Sequence, residues 1–157
     1  MKSLLNKLFI ISLILTLVSC TQKKSEPQQQ PKQTAYNNLK EGDVIEISGR
    51  LICAHCYALN KENVGIDHQL PKSGFVKDCA ITCAKQNYPI AVLLNQPVDS
   101  TRLWIIRTVG NTFADFMTNT AKVKGEYVYR GLIEPTNLMV MKDKKWIKLE
   151  IKKSGMM

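Results

Sequence analysis

The chain has 157 residues, with 22 Lys and Arg against 13 Asp and Glu, a formal charge of +9, two histidines and five cysteines. That length holds one modest core with extensions and is too short for two large ones. No Ser-His-Asp set, phosphate-binding loop or spaced carboxylate pair stands out, so nothing in the sequence argues for a hydrolase.

In chain order, Lys2 and Lys7 precede and flank an apolar run from Leu8 to Val18, which ends at Leu17-Val18-Ser19-Cys20. A charged start, a short apolar core and a small residue before a cysteine form the layout of an export signal. The apolar core is shorter than the roughly 20 residues that span a bilayer. The same four residues resemble the lipobox of bacterial lipoproteins. That resemblance implies a signal peptide over 1–19, removal of the signal, and a diacylglyceryl lipid on Cys20. Each buried acyl CH2 adds about 0.8 kcal/mol of membrane affinity, so the lipid is the expected membrane partner. Thr21 follows the cysteine where an Asp would stand in inner-membrane retention signals, which resembles sorting to the outer membrane of the bacterial envelope.

Residues 20–38 contain almost no apolar side chains after the cysteine and are rich in Gln, Lys and Pro. Such a segment buries too little surface to offset its ordering entropy and reads as a flexible tether. A single domain then covers 39–153, ahead of a frayed tail at 154–157. Within the domain 17 Lys and Arg face 12 Asp and Glu, and six of the lysines fall between Lys142 and Lys153. Lysines crowded on a terminal hairpin are a common guard against edge pairing. With little beyond Trp146 to stack on bases, they do not make a single-strand nucleic-acid platform, and an exported lipoprotein is not expected to meet one.

The domain reads as mainly β. Residues 42–52 are rich in β-branched side chains and make a strand with Gly49 at a bulge or tight bend. Residues 58–77, with Gly65, Pro71 and Gly74, read as a long excursion loop. Asp78 is placed to cap a helix from Cys79 to about Asn87, stopped before Pro89. Residues 89–94 and 102–108 read as a hairpin around a turn at 95–101. Thr112 and Asp115 open a short helix to about Thr120. Strands follow at 122–129, 138–141 and 145–151, with a turn near Gly131 and Pro135. Five or six strands with a helix between the third and fourth predict a small OB-like Greek-key barrel with one or two short helices.

Four of the five cysteines fall in one stretch, as Cys53-x2-Cys56 and Cys79-x3-Cys83 separated by 22 residues, with His55 and His68 between or beside them. Exported proteins meet an oxidising compartment, where unpaired and unligated thiols do not persist. Three readings follow: a metal site, two disulfides, or a redox-active dithiol. Cys79 and Cys83 are one helical turn apart and share a face, which disfavours a bond between them and suits chelation of one ion. The Cys53/Cys56 pair supplies the other half of a tetrahedral set, with His68 and His55 as alternative donors. Thiolates with imidazole fit Zn(II) or Cu(I). Cross-bridges would instead staple the loop, making an envelope binding module. A thiol-disulfide oxidoreductase is the third reading, without thioredoxin context to support it. Covalent c-type haem is excluded because Tyr57, not histidine, follows Cys56.

Cys56-Tyr57, then Cys79-Ala80-x-x-Cys83-Ala84, then Pro89-x-x-x-Leu93-Leu94 resemble the signature of a group of small exported bacterial domains with an OB-like barrel. The resemblance spans about 42–151. It implies that Cys56, Cys79 and Cys83 are the central trio and that Cys53 is more variable. It also implies a histidine three residues before the first helix cysteine, where this chain has Val76, so that either His68 takes its place or the ligand set differs. It implies no activity and no particular protein partner.

Overall fold

The structure is a computed structural model and describes residues 38–152. The signal, Cys20, nearly all of the tether and the C-terminal tail lie outside the described residues. Among the described residues no helix is long and apolar enough to cross a membrane.

The domain is mainly β. Strand β1 (Val44–Cys53) alternates at first, Ile45 and Ile47 facing the core while Val44 and Glu46 face out, and is then buried continuously from Leu51. The change in pattern marks a change of neighbours. Its first part pairs antiparallel with β6 (Thr120–Tyr129), from Val44 opposite Glu126 to Arg50 opposite Thr120. Its last residues pair antiparallel with β4 (Ile90–Val98), from Arg50 opposite Leu93 to Cys53 opposite Ile90. Gly49 stands at the handover, and a Cβ there would collide with the Leu93 carbonyl. Only glycine lets the three backbones approach this closely.

Strand β4 continues through 95–98, where a turn was expected, and reverses into β5 (Thr101–Ile106) over two residues. Asp99 and Ser100 both have positive φ, 46° and 60°, the handedness that matches the twist of hairpin strands. β6 pairs antiparallel with β7 (Leu132–Lys142), and β7 with β8 (Lys145–Lys148), whose turn, Asp143-Lys144, also has two positive φ angles. β7 runs straight through Pro135 rather than turning there. The proline is accommodated by a register shift at Lys124/Gly125, directly across the ladder, where a Cβ on Gly125 would meet the Glu134 carbonyl.

The resulting order is β5-β4-β1-β6-β7-β8, and β7 also pairs in parallel with β5 through Ile105 opposite Leu132 and Ile106 opposite Ile133. Trp104, Phe113, Ile45, Leu51, Leu94, Ile133 and Leu138 fill the interior. β8 ends the order, and its Lys145 and Lys148 are exposed on that outer strand. The helix expected between the third and fourth long strands is a 3-10 helix, Gly110–Phe116. It begins earlier than the Thr112 cap predicted: the Thr112 N–H donates to the Val109 carbonyl at 3.1 Å, closing a tight turn, and its hydroxyl has no partner.

The stretch read as an excursion loop is more ordered than expected. Helix α1 (Ala54–Leu59) leaves the end of β1, then β2 (His68–Leu70) and β3 (Gly74–Val76) form a separate small hairpin, and α2 (Cys79–Lys85) returns the chain to β4. α2 lies against the 3-10 helix and β1.

Replacing Gly49 by alanine should cost about 1–3 kcal/mol, because the collision is with backbone that cannot rotate away. Gly65→Ala, whose added carbon would meet only the Asp67 carbonyl at an ordinary contact distance of 3.7 Å, should change stability by less than about 0.5 kcal/mol. Urea denaturation of the two variants beside the parent measures the difference, and equal midpoints would contradict the strand handover.

Candidate metal centre

Each sulfur is placed by a short element with a clear stop. Cys53 is the last residue of β1 and the N-cap of α1, and Cys56 lies in that helix's first turn. Asn60 ends α1 in an extended conformation, its N–H donating to the Cys56 carbonyl at 3.0 Å. Cys79 and Cys83 lie one turn apart on α2, which stops at Lys85. The N–H of Tyr88 donates to the Cys83 carbonyl, and Asn87 takes a positive φ of 61°.

Asp78 occupies the N-cap position of α2 as expected, but it does not cap. It adopts a left-handed φ of 51° and its side chain makes no cap bond. The task passes to the preceding loop: Asp67 Oδ1 accepts the Asp78 N–H at 2.8 Å, and the Ile66 carbonyl accepts the Ala80 N–H at 3.0 Å. The helix that carries two cysteines is thereby tied to the segment that carries His68. Asn63, which the sequence did not single out, ties the same segment to α1. Its Nδ2 donates to the carbonyls of Cys56 and Gln69, both at 3.1 Å, and its Oδ1 accepts the Gln69 N–H at 2.8 Å. A buried asparagine in a polar loop has no sequence signal that separates it from a solvated one.

These ties bring all four cysteines and His68 together. Their exposures are 0% for Cys53, 1% for Cys56 and His68, 5% for Cys79 and 9% for Cys83. No disulfide joins the four thiols. Cys56 Sγ lies 3.7 Å from Cys79 Sγ and 3.6 Å from Cys83 Sγ. A metal-sulfur bond of about 2.3 Å in a tetrahedron sets its sulfurs about 3.8 Å apart, so these separations are compatible with sulfurs that share an ion. Two trios have donor atoms within 4.8 Å of one another: Cys53, Cys56 and Cys83; and Cys56, His68 and Cys79. Cys56 belongs to both.

His68 is prepared as a donor. Its Nε2 lies 3.1 Å from the Gly65 carbonyl, which fixes the proton there, while buried Nδ1 has no hydrogen-bond partner. Ligating histidines have this arrangement, one ring nitrogen tied to an acceptor and the other open. Burial lowers the His68 pKa, which favours the neutral ring. Burial likewise raises the Cys56 thiol, with further upward effects from Cys53 and Cys83, and pushes Cys83 up to about 12.

His55, the other proposed donor, is elsewhere. It is exposed, belongs to neither trio, and its ring packs on Tyr88 with centroids 5.1 Å apart. A groove of about 560 Å³ lined by Ile66, Ile81, Met117, Met141 and Lys142 contains none of the cysteines. That groove and the sulfur cluster are therefore separate features.

The thiol shifts give a signed prediction for the metal-free chain. A thiol whose pKa is raised by folding stabilises the folded state fully below its ordinary value of 9.0, and that contribution is lost as pH climbs toward about 12. The denaturation midpoint should fall through this window, and that of Cys83→Ala should fall less steeply; parallel slopes would contradict the burial of Cys83. The chain matches no protein-family model, no curated protein and no solved structure, so the site is defined by its own geometry.

Proposed function

We propose that this chain is an exported bacterial lipoprotein, held at the envelope by acyl groups on Cys20, whose β domain binds a soft or borderline metal ion through its cysteine cluster. The metal serves either as cargo or as a structural clamp. The observation that carries this reading is the disulfide-free sulfur cluster with 3.6 and 3.7 Å spacings and an open, buried histidine nitrogen beside it. An ion explains all of these at once. In an oxidising compartment it also accounts for thiols that stay unbridged. Donor softness selects Zn(II) or Cu(I).

The domain is read as a closed Greek-key barrel of OB type. Supporting this is the pairing of β7 with β5 as well as with β6, which joins the strand at one end of the series to the last but one at the other, and the 3-10 helix between β5 and β6. On that reading Cys53 ends the first barrel strand and the cluster sits at the barrel mouth. The resemblance to exported domains with a histidine at the position of Val76 fits the same site. His68 and Val76 stand directly opposite each other in the β2-β3 hairpin, so a histidine at either place lies on one hairpin face.

Two measurements test the reading. The full chain, purified from exporting cells, should contain about one equivalent or more of zinc or copper by elemental analysis, and the metal should be lost on acidification because protons compete for the thiolates. His68→Ala should weaken binding at least about tenfold. Less than about 0.2 equivalents of any transition metal, with mass mapping showing cross-bridged cysteines, would replace it with the disulfide-stapled module. Separately, Cys20→Ser should abolish fatty-acid labelling and move the protein out of the membrane fraction; retained labelling would sink the lipoprotein assignment.

A further inference from the structure

The donors do not gather around one point. The trio of Cys53, Cys56 and Cys83 and the trio of Cys56, His68 and Cys79 have one member in common. Cys56 Sγ is nearly equidistant from the two helix sulfurs, at 3.6 Å from Cys83 and 3.7 Å from Cys79, yet Cys79 and Cys83 fall in different trios. A single tetrahedral ion needs four donors all about 3.8 Å from one another. Here five donors divide into two threes about a shared sulfur. A thiolate has lone pairs to spare and bridges two thiophilic cations readily.

Resting on the metal-binding reading above, we infer that the cluster takes a pair of monovalent d10 ions of the Cu(I) class, bridged by the Cys56 thiolate. Cys53 and Cys83 complete a three-sulfur site for one ion. Cys79 and His68 Nδ1 complete a site of two sulfurs and one nitrogen for the other.

Charge and coordination number pull in opposite directions, and coordination number decides. Two Zn(II) ions would neutralise four thiolates, whereas two Cu(I) ions leave a net negative cluster. Zn(II), however, is almost always four-coordinate in protein sites of this kind, and neither trio offers a fourth donor. Water is a poor candidate to supply one, because no donor residue is more than 9% exposed. Cu(I) is soft, is satisfied by three donors, and is selected by thiolates. Each thiol that ligates gives its proton to solvent, and copper enters and stays as Cu(I), so no electron is transferred. The histidine is set for its place: Gly65 holds Nε2, leaving Nδ1 open, and Asn63 and Asp67 hold its loop against both cysteine-bearing helices.

The test counts ions. The reduced full chain is titrated anaerobically with Cu(I) from a chelator of known affinity, and the complexes are weighed by native mass spectrometry. Two copper ions per chain are expected, with a copper-copper scattering vector in X-ray absorption. Cys53→Ser and His68→Ala each remove a donor belonging to one trio, so each should drop to one ion and lose the vector. Zn(II) titration of the parent runs in parallel and reports on metal binding in general. One copper per chain overturns the pair while leaving the single-metal reading standing. Two coppers without the vector overturn the bridge. Binding of neither metal overturns both readings, and the count on the parent chain does not depend on whether any variant folds.

Discussion

The domain is built around a local problem of solvation. Four thiols and an imidazole are buried together at the end of β1 and on two short helices, with Nδ1 of His68 lacking any partner. A buried polar atom without a partner costs about 1–3 kcal/mol. Folding tolerates such a cost when a ligand returns it, and the sulfur spacings have the dimension that a shared ion imposes.

Much of the surrounding structure can be understood as holding that arrangement rigid. The sheet delivers Cys53 from the point where β1 leaves β6 and runs beside β4, a transition that depends on the missing side chain of Gly49. The helices are too short to be stable on their own. They persist because they are tied: α1 to the loop through Asn63, and α2 to the loop through Asp67 and the Ile66 carbonyl. The His68 loop is thus the common brace of both pairs of cysteines. Such bracing fixes donor positions without using the donors themselves, as metal sites require.

The proposed place of the protein in the envelope complements this architecture. A lipid on Cys20 and a polar tether would keep the domain near a membrane while leaving the cluster free of it. In that setting a buried, metal-filled thiol cluster is protected from oxidation in a way that exposed thiols are not. The groove beside α2 has no donor of the cluster in its lining. The proposed metal chemistry and any contact through that groove are therefore separable by mutation.

Several features were readable from residue order. Strand identity followed from β-branched runs, the position of the helix before β6 from the gap between strands, and the interest of Cys53, Cys56, Cys79, Cys83 and His68 from donor type and spacing. Boundaries were lost where partners across the sheet overruled local signals. Pro135 looked like a turn but sits inside β7 opposite the Gly125 irregularity, and residues 95–98 looked like a loop but extend β4. Asp78 had the composition of a cap and not its geometry: the Ile66 carbonyl takes the Ala80 N–H that a capping side chain would accept, and Asp67, eleven residues earlier, holds the N–H of Asp78 itself.

What the sequence determined by itself was the donor inventory and its division into pairs, since both depend only on residue type and chain spacing. Which donors meet was decided by tertiary structure. The β2-β3 hairpin turned His68 inward, α1 left His55 exposed against Tyr88, and the packing of two helices put Cys56 between the sulfurs of Cys79 and Cys83. The physical reason is that a metal site is a set of distances between side chains remote in sequence, and those distances are fixed by long-range packing that residue order does not express.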